Sequence, residues 1–279
     1  MEIAGKDCLV TGTSSGLGFE VAKGLARLGA NTILLCRNKL KGENAIQAIR
    51  EEVPDAAIEL IVCDLASMES TWQFIETFKA KHSKLDILFN NAAVMKRNRT
   101  VTRDGFEMMF QVNYLAPFML MNAFVGILRN APHALVLNNT LPSYKLRLDM
   151  DNLQFSQHYS MYKSFFQTKL CLLFATLEFS RRHGDDGITT VMAVPGSFKS
   201  NLVREIPLMG WVKNMFSTPV ARAAENILSV MTSDVTQYKN GKAFKEKQEW
   251  PLSEYWQDPS TGQDLWALTE FLISNRQDN

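Results

Sequence analysis

The sequence predicts an α/β fold: one domain over residues 1–279, built on a doubly wound parallel sheet of about seven strands flanked by helices. Three observations predict it. Short runs rich in Val, Ile and Leu alternate with longer segments of helical period. A glycine cluster joins the first apolar run directly to the first helix. No repeat, low-complexity tract or Pro/Gly/Ser linker divides the chain.

Residues 6–11 (KDCLVT) read as a buried strand. Residues 17–28 form a helix with Val21, Leu25 and Leu28 at helical spacing, stopped by Gly29. Strand two covers 31–36, and a charged helix over 41–52 is closed by Pro54. Residues 58–63 make strand three, 67–82 a helix and 85–89 strand four. A long helix is expected over about 102–130, then a strand at 134–137, a helix over about 157–182 and a sixth strand at 189–194. Beyond Pro195 the pattern changes: 202–216 is apolar but interrupted, and 220–231 is helical again. Residues 200–217 read as a small lid over a site at the carboxyl edge of the sheet, with a surface helix packed on the core as the alternative. A third reading lets Trp211 and Phe216 touch a membrane surface.

Composition excludes several classes. Lys plus Arg is 30 and Asp plus Glu is 29, a net charge of +1 with no charged block, so neither nucleic acid nor a polybasic membrane anchor is expected as a partner. No apolar run is long enough for a membrane span, and the N-terminus has neither signal-peptide nor transit-peptide character, so a cytoplasmic protein is expected. Cys8, Cys36, Cys63 and Cys171 sit apart in apolar runs with no CxxC pair, and read as reduced core residues; no metal is expected.

The chemistry begins at Thr11-Gly12-Thr13-Ser14-Ser15-Gly16-Leu17-Gly18. Glycines allow a sharp strand-to-helix turn and close approach of backbone, while the N–H groups and dipole of a helix N-terminus attract a pyrophosphate. In this context the fold is Rossmann-type, with Gly12, Ser14, Ser15, Gly16, Leu17 and Gly18 as cofactor-binding candidates. After strand two, Cys36-Arg37-Asn38 offers no acidic acceptor for a ribose 2′-hydroxyl. The Arg37 guanidinium can instead clamp a 2′-phosphate, so NADP(H) is expected over NAD(H).

These residues resemble the short-chain dehydrogenase/reductase family, and more closely its retinol-dehydrogenase-like and protochlorophyllide-reductase-like branch. The likeness covers nearly the whole chain. TGTSSGLG resembles the family's TGxxxGxG loop, and Cys63-Asp64-Leu65 the segment whose Asp lies by the adenine. Asn90-Asn91-Ala92-Ala93 resembles the NNAG motif, with Ala93 for its Gly, and Phe110-Gln111-Val112-Asn113-Tyr114 the segment of the catalytic Asn. Pro195-Gly196-Ser197-Phe198-Lys199-Ser200 resembles the PGxxxT motif, and Leu265-Trp266-Ala267-Leu268-Thr269-Glu270 the closing helix. The resemblance implies that Asp64, Leu65, Asn91, Ala92, Pro195, Gly196 and Lys169 also contact the cofactor. It further implies homo-oligomers formed through the helices holding 102–130 and 157–182.

The family's chemistry uses a Tyr and a Lys four residues later, which share one helix face. The ammonium lowers the phenol pKa so that the Tyr can give a proton to a carbonyl, a Ser holds the carbonyl oxygen, and an Asn supports a water joined to the Lys. Here Tyr159-Ser160-Met161-Tyr162-Lys163 satisfies YxxxK literally, but Thr168-Lys169 followed by an apolar helix fits the family better. The interval to the Pro-Gly pair agrees: Phe165 precedes Pro195 by 30 residues and Tyr159 by 36. The catalytic positions are therefore Asn113, Thr140, Phe165 and Lys169, with Phe165 where the Tyr belongs. Thr140 replaces the Ser and keeps a hydroxyl, with Asn139 just before it.

Phe165 cannot transfer a proton, and losing a general acid costs on the order of 10² to 10⁴ in rate. Tyr162 shares the helix but lies about 10 Å along the axis from Lys169. Tyr159 is farther, and Tyr144 and His158 sit in a segment the sequence does not place; an engineered Tyr-to-Phe change is a further alternative. Two functions follow. One is an NADP(H)-dependent oxidoreductase acting on a bulky apolar carbonyl, alcohol or conjugated double bond, its pocket drawn from Met95, Leu141, Phe165, Phe166 and the lid. The other is an NADP(H)-binding protein without redox chemistry: a sensor, scaffold, isomerase or cyclase.

Overall fold

The computed structural model describes residues 2–140, 146–195, 219–233, 240–245 and 248–277. Its strands are β1 (Asp7–Thr11), β2 (Asn31–Cys36), β3 (Ile58–Val62), β4 (Ile87–Asn90), β5 (Ala134–Asn139), β6 (Ile188–Ala193), β7 (Ala243–Lys245) and β8 (Gln248–Trp250). They form one sheet in the order β3-β2-β1-β4-β5-β6-β7-β8. The first seven run parallel, and β8 returns antiparallel to β7, with Phe244 opposite Glu249.

Alternate residues of each strand enter opposite layers, which is why the central strands are apolar throughout. Leu9 joins the layer holding Phe74, Phe78, Phe124 and Trp266. Its neighbours Cys8 and Val10 join the other layer, with Val21, Leu25, Ile227 and Met231. That second layer is covered by α1 (Gly16–Arg27), α2 (Lys39–Glu52) and, farther along the chain, a helix over Val220–Thr232. The first is covered by α3 (Met68–Lys81) and by the helices that follow β4.

The single helix expected over 102–130 is instead four segments: α4 (Met108–Phe110), a π-helical stretch (Gln111–Leu115), α5 (Ala116–Ala123) and α6 (Val125–Arg129). Residues 101–107 form a turn, with Gly105 at φ +82° and a bridge between Val101 and Glu107. Glu107 then caps α4 by accepting from the Phe110 N–H at 2.8 Å. Pro117 accounts for the π stretch. It has no N–H to give to the Asn113 carbonyl, so the ladder widens, and the Ala116 N–H reaches back five residues to Gln111.

α7 (Met161–His183) starts later than expected because Phe155 and His158 take left-handed backbone conformations at φ +46° and +50°. The helix over Val220–Thr232 is α8; α9 (Glu254–Gln257) and α10 (Pro259–Gln277) close the chain. α10 packs on α5 and α7, the helices through which self-association was expected: the Trp266 ring lies 4.6 Å from Phe118 and 6.5 Å from Phe179. The expected lid over 200–217 lies outside the described residues, as do Gly196, Leu141, Tyr144, Trp211 and Phe216.

Candidate active site

Gly12 follows β1 and Asn91 follows β4, the two strands between which the strand order reverses, so their loops diverge at the carboxyl edge of the sheet. Two glycines are required there. Gly12 stands at φ +74°, and a Cβ on it would lie 2.8 Å from Ala92 Cα. A Cβ on Gly18 would lie 2.5 Å from both the Gly12 carbonyl oxygen and Asn91 Nδ2. Thr11 fixes this contact: its hydroxyl oxygen accepts from the Asn91 and Ala92 N–H groups at 2.9 Å each, while Asn91 Nδ2 donates to the Thr11 carbonyl at 2.9 Å.

α1 starts at Gly16 with Ser15 as its N-cap, whose side chain makes no capping bond, and no acidic residue occupies the first turn. Leu17 and Gly18 are buried, Ser14 half-buried and Ser15 exposed. The first-turn N–H groups and the positive end of the helix dipole are thus left for an outside anion. Arg37 is exposed just past β2 and forms no ion pair among the described residues. Past β3, Asp64 Oδ1 accepts from the Ala66 N–H at 3.1 Å, and Leu65 is buried beside it. A cradle that admits no Cβ, an uncapped helix start and a free guanidinium fit a phosphate-bearing dinucleotide at this edge.

The second group of residues gathers where α7 crosses β5. Lys169 is buried, and its Nζ donates to the Asn139 carbonyl at 2.9 Å. The same Nζ lies 5.8 Å from the centroid of the Phe165 ring, one turn earlier on α7. Burial lowers the Lys169 pKa from 10.5 to about 8, with no charged neighbour among the described residues contributing. The Thr140 hydroxyl donates to the Lys169 carbonyl at 3.1 Å. Asn113 Oδ1 accepts from the Val94 N–H at 2.7 Å, and its Nδ2 donates to the Val94 carbonyl and to Thr168 Oγ1 at 3.0 and 3.2 Å. Asn113, Thr140, Phe165 and Lys169 are therefore brought together from three separate elements. Buried Pro195 lies two residues past the end of β6.

The two groups are joined by a residue that the sequence marks only as a Ser replacement. Asn139 Nδ2 donates to Asn91 Oδ1 at 3.2 Å while the Asn139 carbonyl holds Lys169. A parallel ladder runs from Asn90 Nδ2 to Asn138 Oδ1 and from Asn138 Nδ2 to Thr176 Oγ1, 2.8 Å each. The signal was four asparagines at the ends of two strands, whose pairing only strand order reveals. The tyrosines weighed as substitutes lie elsewhere: the Tyr159 hydroxyl donates to the Lys96 carbonyl at 2.7 Å, and Tyr162 is exposed, as is His158. The four cysteines are free and buried. Among the described residues no group of His, Cys, Asp and Glu is placed to hold a metal, and no helix is long and apolar enough to cross a membrane.

Comparisons with known proteins agree with this geometry. The family model for short chain dehydrogenases matches residues 6–144. Human polyprenol dehydrogenase is 32% identical over 274 residues, spanning 93% of this chain and 82% of that protein. Human retinol dehydrogenase 14 is 32% identical over 291 residues, spanning 96% and 86%. The crystal structure of an uncharacterised Mycobacterium paratuberculosis protein superposes with a TM-score of 0.79 at 26% identity, covering 98% of this chain and 95% of that one. With its glycine cradle, its NAD(P)-binding Rossmann fold and relatives that match it almost end to end, the chain belongs to the short-chain dehydrogenase/reductase family.

Proposed function

We propose that this protein is an NADP(H)-dependent oxidoreductase acting on a bulky apolar carbonyl, alcohol or conjugated double bond, with Phe165 at the position of the family's proton-donating Tyr. The observation that carries the reading is the union of two halves of a redox site through Asn139, which grips Lys169 with its carbonyl and Asn91 with its side chain. The names of the relatives, a polyprenol and a retinol dehydrogenase, support an apolar substrate.

Bound NADP(H) would exchange a hydride with the substrate through its nicotinamide ring. Gly12, Ser14, Ser15, Gly16, Leu17 and Gly18 would hold the pyrophosphate against the α1 N-terminus, and Arg37 the 2′-phosphate. Asp64 and Leu65 would border the adenine, while Asn91, Ala92, Pro195, Gly196 and Lys169 would hold the nicotinamide half. Asn113 ties the helix entering α5 to the Val94 backbone and to Thr168, next to Lys169, which fixes the floor of the site. Thr140 retains lone pairs after donating to Lys169.

The test is NADPH oxidation with a panel of apolar aldehydes, ketones and enones, run beside a direct measurement of NADPH binding. Substrate-dependent oxidation is expected. Bound NADPH with no oxidation, in the wild type and in Phe165→Tyr alike, overturns the redox reading. The second reading, an NADP(H)-binding sensor, scaffold, isomerase or cyclase, is favoured by one observation: the residue beside Lys169 is a phenyl ring with no transferable proton.

A further inference from the structure

A helix that recruits a second copy of its own chain keeps an apolar face turned outward for it. α5 and α7 keep none. Ala116 to Met121 of α5 are all buried, and α7 is buried on every side from Gln167 to Ser180, about four turns, by residues of the same chain. What covers them is the C-terminal segment. The Tyr255 ring of α9 meets the Phe174 ring of α7 edge-on at 5.7 Å, and its hydroxyl accepts from the Leu148 N–H at 3.1 Å. Along α10, Trp266 packs between Phe118 and Phe179 with the Arg182 guanidinium 4.4 Å over its ring. Gly262 passes so near α7 that a Cβ there would lie 2.9 Å from Arg181 Nη2. The Thr269 and Tyr114 hydroxyls share a hydrogen bond at 2.5 Å, so the same segment steadies the π-helical stretch that carries Asn113 to the Val94 backbone.

We propose that α9 and α10 are a built-in cap, occupying within one chain the face that α5 and α7 would offer to a second copy, and that the protein works as a monomer. The outside of the cap suits solvent. Gln263, Ala267, Glu270 and Ser274 recur at helical spacing along the exposed side of α10, and Phe271 is the one large apolar residue exposed on it among the described residues. A single exposed ring is no association patch. The edges of the sheet are guarded as well. β8 covers β7 and is three residues long, with Glu249 paired to Lys242 at 3.0 Å, while Glu59 on β3, at the far edge, pairs with Lys81 at 2.7 Å. Short strands and charges at an edge oppose strand pairing between two copies.

Tethering also favours the cap over a partner. The chain holds α10 at the face it covers with an effective concentration on the order of millimolar, so a second copy at micromolar concentration competes at a disadvantage of about 10³.

Gel filtration with light scattering, from micromolar to tenth-millimolar protein, measures the mass, and hydrogen exchange followed by mass spectrometry measures the cover. The mass should stay at 31.5 kDa throughout, and exchange in α5 and in residues 167–180 should be slow and independent of concentration. Thr269→Val removes the hydroxyl that meets Tyr114 and keeps the size of the side chain. Exchange in Gln111–Leu115 and in α10 should quicken by about 2- to 10-fold, with β1 unchanged. A mass of two or more chains overturns the monomer. Protection of α5 and α7 that fades on dilution shows that a partner supplies it and overturns the cap; so does fast exchange there at every concentration, or a Thr269→Val protein that exchanges like the wild type. Neither readout uses NADPH, so the outcome is independent of the oxidoreductase reading.

Discussion

Removing the Lys169 charge changes how stability depends on pH, by an amount the structure sets. The amine ionises at 10.5 in the unfolded chain and at about 8 in the folded one, because burial penalises its charged form. At pH 7 both states are protonated, and folding carries the full cost of the buried charge, about 3 kcal/mol. Between about 8 and 10.5 the unfolded chain binds more protons than the folded one, so stability rises with pH across that window and levels off above it. Lys169→Met removes this contribution. At pH 7 the variant regains about 3 kcal/mol but leaves the buried Asn139 carbonyl without its donor, at a cost of about 1–3 kcal/mol, so the two proteins should be similar in stability. By pH 10.5 the wild type should be the more stable by a further ~3 kcal/mol. Urea unfolding followed by circular dichroism at half-unit pH steps measures the difference; residues distant from position 169 titrate alike in both proteins and cancel. Curves that stay parallel from pH 7 to 10.5 would show that Lys169 is solvated in the native state, and the reasoning about its environment would fail.

Three further outcomes follow from the geometry. Arg37→Ala should weaken NADPH binding by about 10- to 100-fold through loss of a charge-assisted phosphate contact, with NADH binding unchanged; equal losses for both in fluorescence titrations would remove Arg37 from the 2′-phosphate site. Gly18→Ala places a Cβ 2.5 Å from the Gly12 carbonyl oxygen, so the turn must open; dinucleotide affinity should fall about tenfold or more, with about 1–3 kcal/mol lost in urea unfolding. Trp266→Ala should destabilise the fold by about 3–5 kcal/mol, because it empties the seam among α5, α7 and α10 where Trp266 meets Phe118 and Phe179. A Tm within a few degrees of wild type would show that α10 contributes little to the core.

The parts of the site legible in the sequence were those whose residue type answers a local requirement. The glycines at 12 and 18 are demanded by a contact so close that no side chain fits, and that demand shows in the sequence as a fixed spacing after a strand. The pairing of Phe165 with Lys169 was expected from the resemblance, which implies an i,i+4 pair and an interval to Pro195, and the ring does lie 5.8 Å from Lys169 Nζ. The acceptor that holds Lys169 was not legible, because it is a backbone carbonyl and any residue at 139 supplies one. Pro117 did announce the break in the long helix, but a π stretch and a continuous helix share nearly the same apolar pattern. β7 and β8, three residues each, are too short to show a period.

The sequence by itself determined the βα order, the dinucleotide loop, the near-neutral charge that leaves Arg37 and Lys169 as individual cations rather than a patch, and the absence of a phenol at position 165. These follow from local propensity and spacing, which chain order preserves. Only the tertiary structure decided that Asn91 and Asn139, 48 residues apart, would bond across neighbouring strands and couple the cofactor loop to Lys169. It also decided that Lys169 would be buried without a counter-charge among the described residues, and so ionise at about 8. Burial and desolvation belong to a whole packed environment rather than to any residue in it, so the ionisation of Lys169 becomes readable only when β4, β5 and α7 are set side by side.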